Sequence, residues 1–306
     1  MSISYSVKTL TPAEALVLIK KGAKILDPIT PEAYECHHIK DALNACVYEV
    51  TFLQKVSELI PDKTVPIVVY GNSAASHESL VAAQKLEQLG YNSVYVVEGG
   101  IDALLKSGCE SVGTAASRSE QLEYVSGSYI ALAQSSLIGW TGRNVNGKHY
   151  GTVALKEGRL SIDGESIQGS FTVDMTDITD LDLADAVFAK MLISHLRSDD
   201  FFSVKTFPEA TFTVQSAERS PDATVSSVNH TLHGSLSLCG IAKTLNVPAT
   251  LIQRDANTLI LEAHFDFDRT LWGVAYGSAR FFRFLGMHMV FDPISIEVRI
   301  ELKATH

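Results

Sequence analysis

Histidine is the residue type in this sequence that most readily suggests chemistry, because imidazole binds metals and exchanges protons near neutral pH. Six histidines lie between residues 149 and 288: His149, His195, His230, His233, His264 and His288. No predicted helix or strand carries two of them with the HxH or HxxxH spacing that would place two imidazoles around one ion. We therefore predict no metal site and interpret them as core or surface histidines, with His195 treated separately.

Thiol chemistry is the second candidate. The chain has four cysteines, Cys36, Cys46, Cys109 and Cys239. Cys36 and Cys46 are too far apart in sequence for a CxxC redox motif or a zinc knuckle. We expect all four to be reduced thiols.

His195 lies in a segment rich in apolar residues. Six residues recur at helical spacing and predict an amphipathic helix: Val187, Phe188, Met191, Leu192, His195 and Leu196. Phe201 and Phe202 follow in a short connection. The pattern predicts a lid or plug in which the helix buries Phe188, Met191 and Leu192 against strands. For His195 two roles stay open: contact with a ligand head group, or a hydrogen bond to a buried backbone carbonyl.

The elements around these residues change character along the chain. The first third alternates predicted helices with short apolar strands, such as Ile67 to Tyr70 and Val94 to Val97, which is typical of an α/β domain with a parallel sheet. From Tyr124 onward the apolar residues alternate with a period of two, and Lys156 to Arg159 is interpreted as a hairpin turn. About eight antiparallel strands would remove their edges by closing into a barrel.

The domain limits follow from this change. A length of 306 residues favours about two domains. Gly108 to Gln121 is small and polar without an apolar period, which is typical of a linker. We predict an α/β domain over residues 1–108, a linker over 109–122 and a barrel with a short helix over 123–306.

The first domain resembles the rhodanese family over roughly residues 8–107. The similarity is carried by Leu26 to Asn44 and by Val68 to Leu104, which includes the loop that holds the catalytic cysteine in that family. In this chain Gly71 stands at the nucleophile position. A glycine supplies no thiolate for covalent sulfur transfer, and the loop has no arginine to bind an anion. We therefore predict a degenerate, catalytically inactive loop formed by Gly71, Asn72, Ser73, Ala74, Ala75, Ser76 and His77.

The second domain resembles the YceI-like (polyisoprenoid-binding) family. The matching segments occur in the family's order: Ile138 to Gly142, His149 to Thr152, Gly169 to Met175, His195 to Phe202, Phe207 to Phe212, Gly234 to Gly240 and Asp268 to Gly273. The resemblance implies a lipocalin-like antiparallel barrel whose interior holds a long apolar chain.

The resemblance and the aromatic content together indicate ligand-binding residues. We predict the following set: Trp140, Phe171, Phe188, Met191, Leu192, His195, Phe201, Phe202, Phe212, Phe265, Arg269 and Trp272. For Arg269, which follows Asp268, two roles are weighed: orienting a polar head group, and an ion pair that pins its loop.

These observations lead to a non-catalytic binding protein. Its barrel sequesters or carries an apolar ligand such as a polyisoprenoid, a quinone or a fatty acid, and the rhodanese-like domain is a regulatory or interaction module. The alternatives are a sulfurtransferase with a relocated thiol at Cys36 or Cys46, a hydrolase in the barrel, and a pure protein-interaction module. A homodimer through the barrel is left open.

Composition sets further expectations. A net charge of −10 argues against nucleic-acid binding. No segment is apolar over the roughly 20 residues that a membrane span needs. The N-terminus lacks the pattern of a signal peptide, so we expect a cytoplasmic protein.

Overall fold

A computed structural model describes residues 7–115, 124–221 and 223–305. Contacts divide the chain into two compact units, Met1–Glu120 and Gln121–His306. Within the described ranges, every helix is too short or too polar to span a bilayer.

The first unit is an α/β domain. Its elements in chain order are β1 (Lys8–Leu10), α1 (Pro12–Lys20), β2 (Lys24–Asp27), α2 (Pro31–Cys36), β3 (His38–Ile39), β4 (Leu43–Asn44), α3 (Phe52–Leu59), β5 (Ile67–Val69), α4 (Glu78–Gln88), β6 (Val94–Val97), α5 (Gly100–Lys106) and β7 (Ser111–Val112). Five strands form a parallel sheet in the order β1-β6-β5-β2-β4. All three residues of β5 are buried because helices cover both faces of a parallel sheet. The prediction of an α/β domain is confirmed.

Short-range signals explain several of these elements. Thr11 accepts a hydrogen bond from the Glu14 N–H while Glu14 accepts from the Thr11 N–H, so α1 begins with a capping box. The short strand β7 pairs with β3. Residues 111 and 112 of the expected linker therefore take part in a strand pair with the first unit.

The second unit is a closed antiparallel barrel. Its elements are β8 (Gly127–Ala131), β9 (Leu137–Asn144), β10 (Gly147–Asp163), β11 (Ser166–Ile178), α6 (Ala186–Arg197), β12 (Glu209–Arg219), β13 (His230–Leu238), β14 (Ile241–Asp255), β15 (Thr258–Asp268) and β16 (Pro293–Ala304), with single 3₁₀ turns at Ala133–Ser135, Arg269–Trp272 and Gly286–His288. The strands β8 and β9 both pair with β10 and β16, so they occupy one position in the barrel. Pairing of β10 with β11 closes a barrel of eight positions, which confirms the predicted fold class.

The predicted hairpin turn at Lys156 to Arg159 is wrong. β10 continues through this segment with a bulge between Leu155 and Glu157. A Cβ on Gly158 would lie 2.6 Å from Cδ1 of Phe171, so glycine serves here to let that ring approach the strand.

One end of the barrel is packed solid. Near β8 the interior is filled by buried side chains that contact one another: Tyr129, Leu160, Ile162, Ile167, Leu251, Leu259 and Leu302. The opposite end, where β9 turns into β10 and β15 is followed by the loop to β16, is covered by α6 and by residues 273–292. Most of the predicted binding residues lie at this second end.

Candidate functional site

A cavity of about 410 Å³ occupies the half of the barrel that lies beneath α6 and residues 273–292. Its floor is formed by Leu232, Val247, Leu261 and Ile300, which rest on the solid end. The interior of an eight-stranded barrel can be filled by side chains or can hold one small ligand. In this barrel side chains fill one half, and the other half contains the cavity. The volume falls in the roughly 300–1,000 Å³ range of ligand pockets.

The strands line this cavity with every second residue. In β16 the lining residues are Ile294, Ile296, Val298 and Ile300. Sequence reasoning that selected aromatic residues missed these aliphatic ones. The period-two alternation in β16 was the available signal, because alternate residues of a strand face the same side.

The helix α6 forms the roof. It begins at Asp185, whose Oδ1 accepts hydrogen bonds from the N–H groups of Val187 and Phe188 at 2.7 and 3.3 Å. From its later turns Leu192, His195 and Leu196 reach the cavity. The connection after the helix adds the rings of two phenylalanines, Phe201 and Phe202.

Most of the predicted binding residues meet at this cavity. They are Trp140, Phe171, Leu192, His195, Phe201, Phe202, Phe212, Phe265 and Arg269. Their role in binding stays a prediction.

Three predicted residues lie elsewhere. Phe188 and Met191 are 60% and 62% exposed, so the expectation that α6 buries them is wrong. The barrel takes up Leu192, Ile193 and Leu196, while the first turn with Phe188 stays in solvent and Met191 in the second turn is on the exposed side of the helix. Trp272 is buried in the wall, where its indole N–H donates to the Leu236 carbonyl at 2.9 Å.

Arg269 supports the loop that follows it. Its guanidinium is 1% exposed and donates to four backbone carbonyls at 2.6 to 3.2 Å, those of Val274, Tyr276, Val290 and Phe291. Burial lowers the pKa of Arg269. Asp268 pairs with Arg280 at 2.9 Å, and the carboxylate of Asp292 lies 3.9 Å from the Arg269 guanidinium. The hydrogen bonds of Arg269 therefore pin the loop over residues 273–292.

His195 lies at the centre of an aromatic group. Its ring meets the rings of Phe201 and Tyr276 edge to face, with centroids 4.9 and 4.6 Å apart. Nε2 lies 3.4 Å from a carboxylate oxygen of Asp200. The partner shown for this imidazole is thus a carboxylate, and the ring borders the cavity.

A second histidine lies at the mouth and was not predicted as a site residue. His149 lines the cavity, and its Nδ1 is 2.9 Å from Asp182. Burial alone would raise the pKa of Asp182, but hydrogen bonds from the Tyr150 N–H and from His149 outweigh it and lower that pKa. Together with Asp180 these groups have potential ligand atoms within 4.8 Å of one another. The sequence hides this cluster because the aspartates follow His149 by about thirty residues.

In the first unit, the loop after β5 corresponds to the anion-binding loop of the rhodanese family. Here side chains of the loop and of the start of α4 accept the hydrogen bonds of the loop's backbone N–H groups. Ser76 Oγ accepts from the Ser73 N–H at 3.0 Å. The carboxylate of Glu78, a buried residue, accepts from the Asn72 N–H. A Cβ on Gly71 would lie 2.8 Å from Ser76 Oγ and 3.1 Å from Glu78 Oε1. The space beside the nucleophile position is therefore already filled.

Two of the four thiols are shifted toward the protonated form. Burial raises the pKa of Cys109, and it raises that of Cys239 to about 11. Cys46 is 2% exposed, and Cys36 is the last residue of α2.

The fold and the cavity define a two-domain protein with a rhodanese-like unit and a ligand-sized barrel. The Rhodanese-like domain family matches residues 11–107, and the YceI-like domain family matches residues 129–302. The second match covers more than half of the chain. The chain therefore belongs to the YceI-like family, with a rhodanese-like domain before the barrel.

Two relatives are similar to the rhodanese-like part of the chain. The thiosulfate sulfurtransferase GlpE of Pseudomonas syringae pv. syringae is 30% identical over 96 residues, which cover 31% of this chain and 84% of that protein. GlpE of Pseudomonas entomophila is 28% identical over 95 residues, which cover 31% and 82%.

Two solved structures resemble the barrel. Burkholderia cenocepacia BcnA has 20% identity and a TM-score of 0.44, and the match covers 56% of this chain and 98% of BcnA. A polyisoprenoid binding domain from Saccharophagus degradans has 13% identity and a TM-score of 0.43, with 58% and 98% covered.

Proposed function

We propose that the barrel binds and carries one amphiphilic molecule with a long apolar chain, such as a polyisoprenoid, a quinone or a fatty acid. The observation that carries this proposal is the cavity of about 410 Å³ lined almost entirely by aliphatic and aromatic side chains. Each methylene moved from water into such a space contributes about 0.8 kcal/mol. A chain of several methylenes is therefore held tightly without specific polar contacts.

The polar groups at the mouth favour an amphiphile over a pure hydrocarbon. Arg143, His149 and His195 border the cavity near α6 and the β9–β10 turn. Arg143 donates to Ser295 Oγ at 2.7 Å, and Ser295 donates in turn to Asp266. These groups are placed to meet a polar head while the chain enters the apolar interior.

Mass spectrometry of an organic extract of the purified protein tests the carrier function. We expect a long-chain amphiphile at a level approaching one molecule per protein. An extract of the related sulfurtransferase GlpE, purified from the same host, should not contain it. Protein that is extracted empty and does not take up a long-chain fatty acid or a quinone would contradict the proposal.

We further propose that the rhodanese-like domain has no sulfurtransferase activity and acts as a regulatory or interaction module. Support comes from Gly71 at the nucleophile position and from Ser76 and Glu78, which fill the neighbouring anion cradle. The buried carboxylate of Glu78 would also repel thiosulfate. The cytoplasmic location, the domain limits and a homodimer stay predictions.

A glycine-to-cysteine substitution tests how completely this activity is lost. Gly71→Cys alone is expected to give no thiosulfate:cyanide sulfurtransferase turnover above wild type, because the new Cβ meets Ser76 Oγ and no cation holds the anion. The matched variant combines Gly71→Cys with Ser76→Ala and Glu78→Gln. These two changes remove the Ser76 hydroxyl and the negative charge of Glu78 beside the new thiol. Turnover in the single variant, or turnover in wild type that Cys36→Ser abolishes, would show that the loop or a relocated thiol is competent.

A further inference from the structure

Large apolar side chains project into solvent from the loop between the 3₁₀ turn at Arg269–Trp272 and β16. Five residues of this loop are exposed, and we name them the apolar rim: Phe281, Phe282, Phe284, Met287 and Phe291. Contiguous apolar patches of this kind on a protein surface mark sites of interaction with a protein or a membrane.

The apolar rim lies at the mouth of the cavity. Met287 and Phe291 also line the cavity. The Met287 carbonyl accepts from Asn146 at 3.3 Å, and the Phe291 N–H donates to the Arg143 carbonyl at 2.9 Å, which ties the loop to the β9–β10 turn. A ligand that enters or leaves at this end must pass beside the rim.

The loop holds these side chains outward. Arg269 donates to the carbonyls of Val274 and Tyr276 before the rim and to those of Val290 and Phe291 at its end. Phe284 has a φ of 59°, a left-handed conformation that is uncommon for a phenylalanine, and its ring is fully exposed. A fixed loop with an outward ring presents apolar surface instead of folding it into the core.

The charges of the rim have one sign. From Phe281 to Phe291 the titratable residues are Arg283 and His288, and the adjacent Asp292 lies 3.9 Å from Arg269 and 3.8 Å from Arg280. Arg283 lies between Phe282 and Phe284 and forms no ion pair with any residue in the described ranges. The neighbouring Arg280 is paired with Asp268. Exposed aromatic and aliphatic residues can enter the interface of a bilayer, and the unpaired arginine beside them can meet an anionic lipid head group.

We propose that the apolar rim docks the barrel onto the surface of an anionic lipid bilayer, so that the mouth opens toward the membrane. This inference rests on the proposed carrier function. A long apolar chain is rarely free in water, because each methylene exposed to water lowers the population of the free chain about fourfold. Docking at the mouth would let the chain move between the cavity and the bilayer without that exposure.

Vesicle flotation tests the proposal with the full-length protein. The vesicles contain phosphatidylcholine alone or phosphatidylcholine with phosphatidylglycerol. We expect wild type to float with the anionic vesicles and Phe284→Ser to lower its partition coefficient about tenfold, since a buried aromatic ring is lost. Arg283→Gln should lower partition about fivefold on the anionic vesicles only, and added salt should reproduce this loss.

Ile130→Ser is the matched control. Ile130 is an exposed apolar residue like Phe284, but it lies on β8 at the solid end of the barrel. Its replacement is expected to leave flotation unchanged. Equal flotation of the wild-type, Phe284→Ser and Ile130→Ser proteins would overturn the proposal.

Two further measurements separate the outcomes. Ligand content by mass spectrometry should be the same in wild type and Phe284→Ser, so a protein that floats but carries no ligand supports docking and contradicts the carrier function. Size-exclusion chromatography tests whether a second copy of the chain binds the rim instead. A wild-type protein that is dimeric and does not float, but becomes monomeric in Phe284→Ser, would assign the rim to a dimer interface and overturn membrane docking.

Discussion

Replacing Arg269 with methionine is expected to lower the free energy of unfolding of the barrel by about 3–5 kcal/mol. The guanidinium is 1% exposed and serves four backbone carbonyls on the loop over the cavity mouth. Methionine fills a similar volume without a single donor, so these carbonyls must either stay unpaired or pull the loop open to water. Loss of a buried charge offsets part of this cost, because burial already lowers the pKa of Arg269.

Tryptophan fluorescence during urea unfolding measures this effect in the intact chain. Both tryptophans, Trp140 and Trp272, lie in the barrel, so the signal reports on that domain alone. For a domain of this size the expected loss corresponds to a melting temperature lower by roughly 6–20 °C.

The control for this substitution is Arg280→Met. Arg280 is half exposed and forms an ion pair with Asp268, so its loss should cost no more than about 1 kcal/mol. If Arg269→Met unfolds at the same urea concentration as Arg280→Met, the four hydrogen bonds do not hold the loop.

Replacing Leu192 with tryptophan is expected to block ligand binding. Leu192 reaches the cavity from the roof helix, and the larger ring takes up space that the apolar chain would occupy. If two methylenes are displaced, affinity for a fluorescent long-chain fatty acid falls by about one order of magnitude. The cost in folding stability should stay near 1–3 kcal/mol, since the ring can fill existing space.

Met191→Trp is the control on the same helix. Met191 is the neighbouring residue and is 62% exposed, so the same ring is added outside the cavity. Affinity for the fatty acid should equal that of wild type. Equal losses in both variants would mean that the helix, and not the cavity volume, determines binding.

Much of the fold can be predicted from local signals. The capping box at Thr11 and Glu14 marks the start of α1, and the uniformly apolar Ile67 to Val69 marks a strand covered on both faces. The change to period-two alternation after Tyr124 separates the two units. Such signals are readable in sequence because each depends on residues a few positions apart.

Nine of the twelve binding residues predicted from the sequence line the cavity, but that prediction missed the aliphatic residues that the strands contribute. The sequence could not show where packing stops. Phe188 and Leu192 share one helical stripe, but only the later turns of α6 lie on the barrel, so Leu192 reaches the cavity and Phe188 is exposed.

By itself the sequence determined the two fold classes and the absence of a thiol at position 71, since periodicity and residue identity are local properties. The tertiary structure decided the rest. Pairing of β10 with β11 made Gly158 a contact site for Phe171 instead of the expected turn, and it brought His149 to Asp182. Strand pairing also left one half of the barrel solid and the other half hollow, because the side chains that meet inside a barrel come from strands distant in sequence.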